Sequence, residues 1–201
     1  MVFHQHLCYE NRPLLSRNMA GIYHLKYRDG RAEVLCNGEG YYYVLGPDTL
    51  IHFSPIPAWC HHCKIISLVE DLKQPEDIRE ELRQIEDPES PWYRNRKYRI
   101  DEHFISVNKE HLKNQLTLWN QRTSPPRCVV CGTTEVGFFE HRKWAPHPGT
   151  GEEVFFSLDG VGSVSCDRIR YFNTDGVELA LTDAEREHYR TLRRENKALR
   201  C

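Results

Sequence analysis

Alternation of apolar and polar positions dominates the chain from Gly21 to Phe53 and returns beyond Cys128, whereas the residues between carry apolar positions three and four apart. Strands, then helices, then strands is the order this predicts. IYHLKYR and RAEVLC flank Asp29-Gly30, a hairpin signal because that dipeptide accommodates positive φ. YYYVL and TLIHF around Gly46-Pro47-Asp48 make a second hairpin, so residues 1–63 read as a small antiparallel β meander ending at a Cys pair. After Cys63 the period changes. Ile65, Leu68, Val69 and Leu72 share one helical face, as do Ile78, Leu82 and Ile85 beyond Pro75, and Leu112, Leu116 and Trp119 between Asn108 and Gln121. Asp87-Pro88-Glu89-Ser90-Pro91 breaks this pattern and Thr123-Ser124-Pro125-Pro126 ends it, so residues 64–127 read as a mainly helical insertion.

Residues 128–201 open on a second Cys pair and continue through VGFFEHRKW, EEVFFSL, SVSCDRIRYF and VELALT, the last two joined by Asn173-Thr174-Asp175-Gly176. This is a second antiparallel β region. Thr182-Asp183-Ala184-Glu185 is a capping box that starts a C-terminal helix, with Arg193, Arg194, Lys197 and Arg200 near its end. The fold class expected is α+β: two antiparallel β regions, a helical insertion and a terminal helix, in one composite domain.

Composition narrows the partners. Twenty-seven Lys and Arg against 29 Asp and Glu leave a formal charge of −2, which argues against coating nucleic acid along the whole surface but leaves room for a local basic patch. Eight cysteines in 201 residues are too few for a small secreted disulfide scaffold, and their paired spacing suggests metal or redox chemistry in a reducing compartment. No apolar run approaches a membrane span and the start lacks the pattern of a secretory signal, so cytoplasmic residence is expected.

The chemistry lies in Cys60-His61-His62-Cys63 and Cys128-Val129-Val130-Cys131-Gly132. Each Cys-x-x-Cys turns two sulfurs toward one point, and four thiolates complete a tetrahedral zinc site. The metal ligands expected are therefore Cys60, Cys63, Cys128 and Cys131, with zinc as cofactor and His61 and His62 in solvent. Ala58 to Lys64 and Arg127 to Gly132 resemble the two knuckles of zinc-ribbon proteins, departing from them in the 64 residues between the pairs (64–127) and in Lys64 standing where a Gly is usual. A β-tent arrangement, in which distant Cys pairs share one zinc, would accommodate that insertion. The resemblance implies a structural clasp between the two β regions and names no activity.

Three other constellations compete. Trp59-Cys60-His61-His62-Cys63-Lys64 resembles the WCxxCK motif of thioredoxin-like proteins, which implies a nucleophilic Cys60 at a helix start and a resolving Cys63. Cys128 to His147, with Glu140-His141, resembles the opening of an HNH nuclease, which implies His141 as the water-activating base. Trp92, Arg94, Arg96, Lys97 and Arg99 form a basic, aromatic segment that suits nucleic acid, or balances the acids at 76–89. Cys36 and Cys166 read as core thiols, Cys8 and Cys201 as free, and His4 and His6 as tail residues. No catalytic residue set assembles from these motifs. The function expected is a non-catalytic, zinc-stabilised binding protein acting through protein or nucleic-acid contacts, with thiol–disulfide oxidoreductase and HNH-like nuclease as alternatives.

Overall fold

A computed structural model describes residues 19–36, 39–94, 102–140, 142–163 and 168–198. The expectations for Cys8, His4, His6, Arg96, Lys97, Arg99, His141, Cys166, Arg200 and Cys201 lie outside these residues. Strands β1 (Met19–Tyr27), β2 (Ala32–Cys36), β3 (Gly40–Gly46), β4 (Thr49–Phe53), β5 (Ile56–Cys60) and β6 (Ile65–Val69) come first. Helices α1 (Pro75–Glu86), α2 (Pro91–Arg94) and α3 (Glu102–Gln121) follow, then β7 (Val136–Phe138), β8 (Trp144–Pro146), β9 (Glu153–Ser163), β10 (Ile169–Phe172) and helix α4 (Asp183–Ala198).

Both expected hairpins form. β1 pairs antiparallel with β2 through a turn in which Gly30 alone takes positive φ (90°), and β3 pairs antiparallel with β4. They do not form one meander, however. The strands assort into three sheets of order β2-β1-β9-β8, β10-β3-β4 and β6-β5-β7. The two β regions expected from sequence are thus interleaved: β9 runs along β1 from Met19↔Ser163 to Tyr27↔Val154, and β10 pairs with β3 in parallel. Local alternation identifies a strand and its buried face but carries no signal for its partner, so a late strand pairs early at no cost to its pattern.

Residues 65–69 form a strand, which corrects the helical reading of Ile65, Leu68 and Val69. Their sequence, IISLV, is short and β-branched, and Ile65, Ser67 and Val69 also satisfy a period of two. The helical insertion therefore begins at Pro75, at the first turn of α1, where its missing N–H costs nothing. Beyond it the expected faces meet: Ile78, Ile85, Trp92 and Leu112 form one buried cluster, flanked by Leu82, Leu116 and Trp119. The capping box of α4 also forms, with the Glu185 amide donating to the Thr182 hydroxyl (3.3 Å) and the Thr182 amide to the Glu185 carboxylate (2.8 Å). Among the described residues no helix is long and apolar enough to cross a membrane.

The main core joins Tyr41, Tyr43, Ile51, Phe53 and Phe172 of the β10-β3-β4 sheet to Leu118 of α3 and Val129 of the second Cys pair. Val129 thereby anchors the second knuckle in the fold.

Candidate metal centre

The first Cys pair is the tip of the β5–β6 hairpin. Cys60 pairs with Ile65, and the four residues between make a turn closed by the Lys64 amide on the Cys60 carbonyl (2.8 Å). The second pair is built alike: the Gly132 amide donates to the Cys128 carbonyl (2.8 Å), and Lys64 and Gly132 hold equivalent left-handed conformations, φ 56° and 75°. The absence of Gly after Cys63 thus leaves the turn intact, at the strain a non-glycine residue carries there. β7 pairs with β5 (Cys60↔Val136), while Cys128 bridges to Val69, so that both knuckles lie on one small sheet.

Sixty-eight positions apart in sequence, the pairs meet in space. The sulfurs of Cys60, Cys63, Cys128 and Cys131 all lie within 4.8 Å of one another, with Cys60 and Cys131 at 3.5 Å. A tetrahedron of thiolates at about 2.3 Å from zinc has edges of about 3.8 Å, so this donor set fits such an ion. Cys60 (0% exposed) and Cys128 (1%) form the floor with Ala58 and Val69, whereas Cys63 is partly exposed and Cys131 exposed. The group can hold a metal ion.

Hydrogen bonds tune the sulfurs unequally. The Cys63 amide donates to the Cys60 sulfur (3.3 Å), and Ser67, buried on β6, places its hydroxyl 3.3 Å from the Cys128 sulfur. Burial opposes ionisation of Cys128, but the Ser67 hydroxyl and the Cys131 and Val130 amides outweigh it and hold this thiol below its ordinary range. Hydrogen bonding to Cys131, followed by burial, pushes the Cys63 thiol up; burial does the same to Cys131. Four neighbouring thiols cannot all ionise without a compensating cation, so cation binding and loss of the protons are coupled.

A buried polar network pins the second knuckle. Glu70, one residue beyond β6, receives Arg122 (Nη2 to Oε2, 2.5 Å), the Tyr43 hydroxyl (2.5 Å) and the Arg127 amide (2.7 Å). Arg122 also donates to the carbonyls of Ser124, Thr174 and Pro125, and both side chains of the pair are 1% exposed. Arg127 donates from Nη1 to the Gly132 carbonyl and from Nε to that of Asp175, both at 2.7 Å, tying the end of the knuckle to the turn after β10. Nothing in the sequence pattern singled out Ser67, Glu70 or Arg122. Once 65–69 is seen as a strand, Ser67 falls on the Val69 side, and that parity is the signal that could have found it.

The remaining expected residues are dispersed. His61 and His62 are exposed, as anticipated, and among the described residues the metal-competent group contains only the four cysteines. Strand alternation turns Trp59 away from the sulfurs onto His147 (centroids 4.8 Å) and against Gly149, where a Cβ would lie 2.6 Å from the ring. Cys60 ends a strand and residues 65–69 are strand, so the helix start that a thioredoxin-like site uses is absent here. His147 turns inward to its own loop, its Nδ1 accepting from the Gly149 and Thr150 amides at 3.2 Å. Trp92 is buried in the helical cluster at 8% exposure and Arg94 pairs with Glu89 (3.1 Å), which removes Trp92 as a stacking surface and gives Arg94 the intramolecular partner that charge balance implied.

Comparison of the chain with protein-family models, curated proteins and solved structures returned no match.

Proposed function

We propose that the four cysteines form a closed structural zinc site of zinc-ribbon type, and that the protein is a non-catalytic, zinc-stabilised binding protein that works through protein or nucleic-acid contacts. The observation that carries the zinc reading is the approach of four sulfurs from two matching turns to within 4.8 Å. Four thiolates fill a tetrahedron and leave no open position for a substrate or activated water, which is the difference between a structural and a catalytic zinc. The site staples the β5–β6 hairpin to the 128–132 turn, and its ligands stay reduced in a reducing compartment such as the cytoplasm. A thiol–disulfide role for Cys60 and Cys63 has less support, because Cys60 lies as near to Cys131 as a shared metal requires.

Elemental analysis of the purified chain should give about one zinc per molecule, and a strong chelator should lower the melting temperature. Metal-free, folded protein with a reducible Cys60–Cys63 bond, indifferent to chelator, would instead establish the oxidoreductase.

A further inference from the structure

The β2-β1-β9-β8 sheet buries one face, and the other reaches solvent at the Trp144 and Lys26 end, although Ser157 on that same face is buried. Tyr23, Leu25 and Tyr27 of β1 point into the protein, which sends Lys26 outward. Cross-strand partners share a face, and the register places Trp144, Phe155, Lys26 and Ala32 in one row across β8, β9, β1 and β2. That row spans three interstrand gaps of about 4.8 Å, about 14 Å in all. Trp144 is 40% exposed, against 4% for Trp59 and 8% for Trp92, and lies 5.5 Å from the Phe155 ring. The Arg28 guanidinium sits 4.5 Å from the centre of the Trp144 ring, and Arg31 lies at the same distance from Tyr27. Lys26, Tyr27, Arg28, Arg31 and Trp144 line a shallow concavity of about 450 Å³ whose lining contains no carboxylate.

We propose that this sheet face binds single-stranded nucleic acid, with bases stacking on Trp144 and Phe155 and phosphates held by Lys26, Arg28 and Arg31. The proposal deepens the binding-protein reading and rests on it, while placing the contact on the β2-β1-β9-β8 sheet, a different sheet from the one that carries the zinc ligands. Exposed aromatic rings beside cations are the chemistry that tracks a flexible strand without reading a duplex groove. The carboxylates of Asp29 and Glu152 ion-pair with Arg31, and that of Glu153 with Arg28, each at 2.6 Å. These pairs are exposed, so they hold the guanidinium groups in place yet exchange readily for phosphate. A patch of this size is compatible with a net charge of −2, which excludes only a uniformly basic surface.

The test is fluorescence anisotropy of labelled dT15 and U15 with the full, metal-loaded chain and with Trp144→Ala and Lys26→Ala, zinc content being measured on each sample. The expected results are binding to at least one strand, weaker at higher salt, and a loss in Trp144→Ala between about fivefold and about 150-fold with zinc content unchanged. Lys26→Ala should weaken binding and reduce the salt slope by about 0.7. Failure of the zinc-loaded protein to bind either strand overturns the proposal, as does binding that Trp144→Ala leaves intact or a matching duplex that binds as well as the single strand. Displacement of the probe by polyglutamate as effectively as by unlabelled oligonucleotide marks an acidic-protein surface and overturns it too. Zinc-free protein with intact oligonucleotide binding would instead count against the metal reading alone.

Discussion

Glu70 and Arg122 show what a single buried pair does in this fold. Each is held by further hydrogen bonds, so the pair is fully satisfied, and removing one partner leaves the other's charge uncompensated in the interior. Glu70→Gln should cost about 3–5 kcal/mol, read as a lowered denaturant midpoint at unchanged slope. Gly176 belongs to the same device, since with φ 73° it allows the backbone to pass where a Cβ would strike the Glu70 carboxylate. His52 and His111 behave differently. Burial lowers both to about 4, with the charges of His52 and Lys73 adding to the effect on His111. The folded state prefers these rings neutral, so their contribution is complete above the unfolded value of about 6.5 and is lost as pH falls toward 4. The stability difference between wild type and His52→Gln should accordingly shrink across that window. A difference flat from pH 7.5 to 4.5 in matched melts would show His52 to be solvated. Neither feature was legible in the sequence: Glu70 and Asp71 stand side by side with nothing local to say which is buried, and burial of a histidine depends on what packs over it.

At the scale of the element, the two knuckles make a controlled comparison. Lys64 and Gly132 occupy the same left-handed position after the second Cys of each pair. An L side chain pays for that conformation, while glycine loses more freedom on folding. Lys64→Gly should therefore stabilise the metal-loaded protein by roughly 0.5–1 kcal/mol, and Gly132→Ala should destabilise it by about 1–2 kcal/mol. No change at either position in thermal unfolding, or the reverse sign at both, would show that the turns relax. The knuckles were readable from spacing because Cys-x-x-Cys is a local geometry. β6 was not, because Ile65, Leu68 and Val69 satisfy two periods at once and only pairing with β5 decides between them.

At the scale of the whole molecule, the interleaved strands bind the first third of the chain to the last. β1 has β9 beside it over its full length, and β3 has β10. Cutting after residue 127 would remove both partners and half of the metal ligands. The fragment 1–127 should show no cooperative near-UV transition and no stoichiometric zinc, and an independently melting 1–127 would mean that the N-terminal strands suffice for a core. Long-range pairing of this kind sets the closing of large loops against a late reward, so refolding is expected to be slow for a chain of this size.

The sequence by itself determined the hairpins at Asp29-Gly30 and Gly46-Pro47-Asp48, the facing stripes of α1 and α3, the capping of α4 and the identity of four candidate ligands. All of these are governed by residues within a turn or two of one another, where dihedral preference and periodicity act directly. Tertiary structure alone decided that β9 and β10 pair with β1 and β3, that Trp59 and Trp92 are buried while Trp144 faces solvent, and that four sulfurs separated by 64 intervening residues converge. Those outcomes follow from which surfaces are removed from water together, a property of the packed chain that no local window contains.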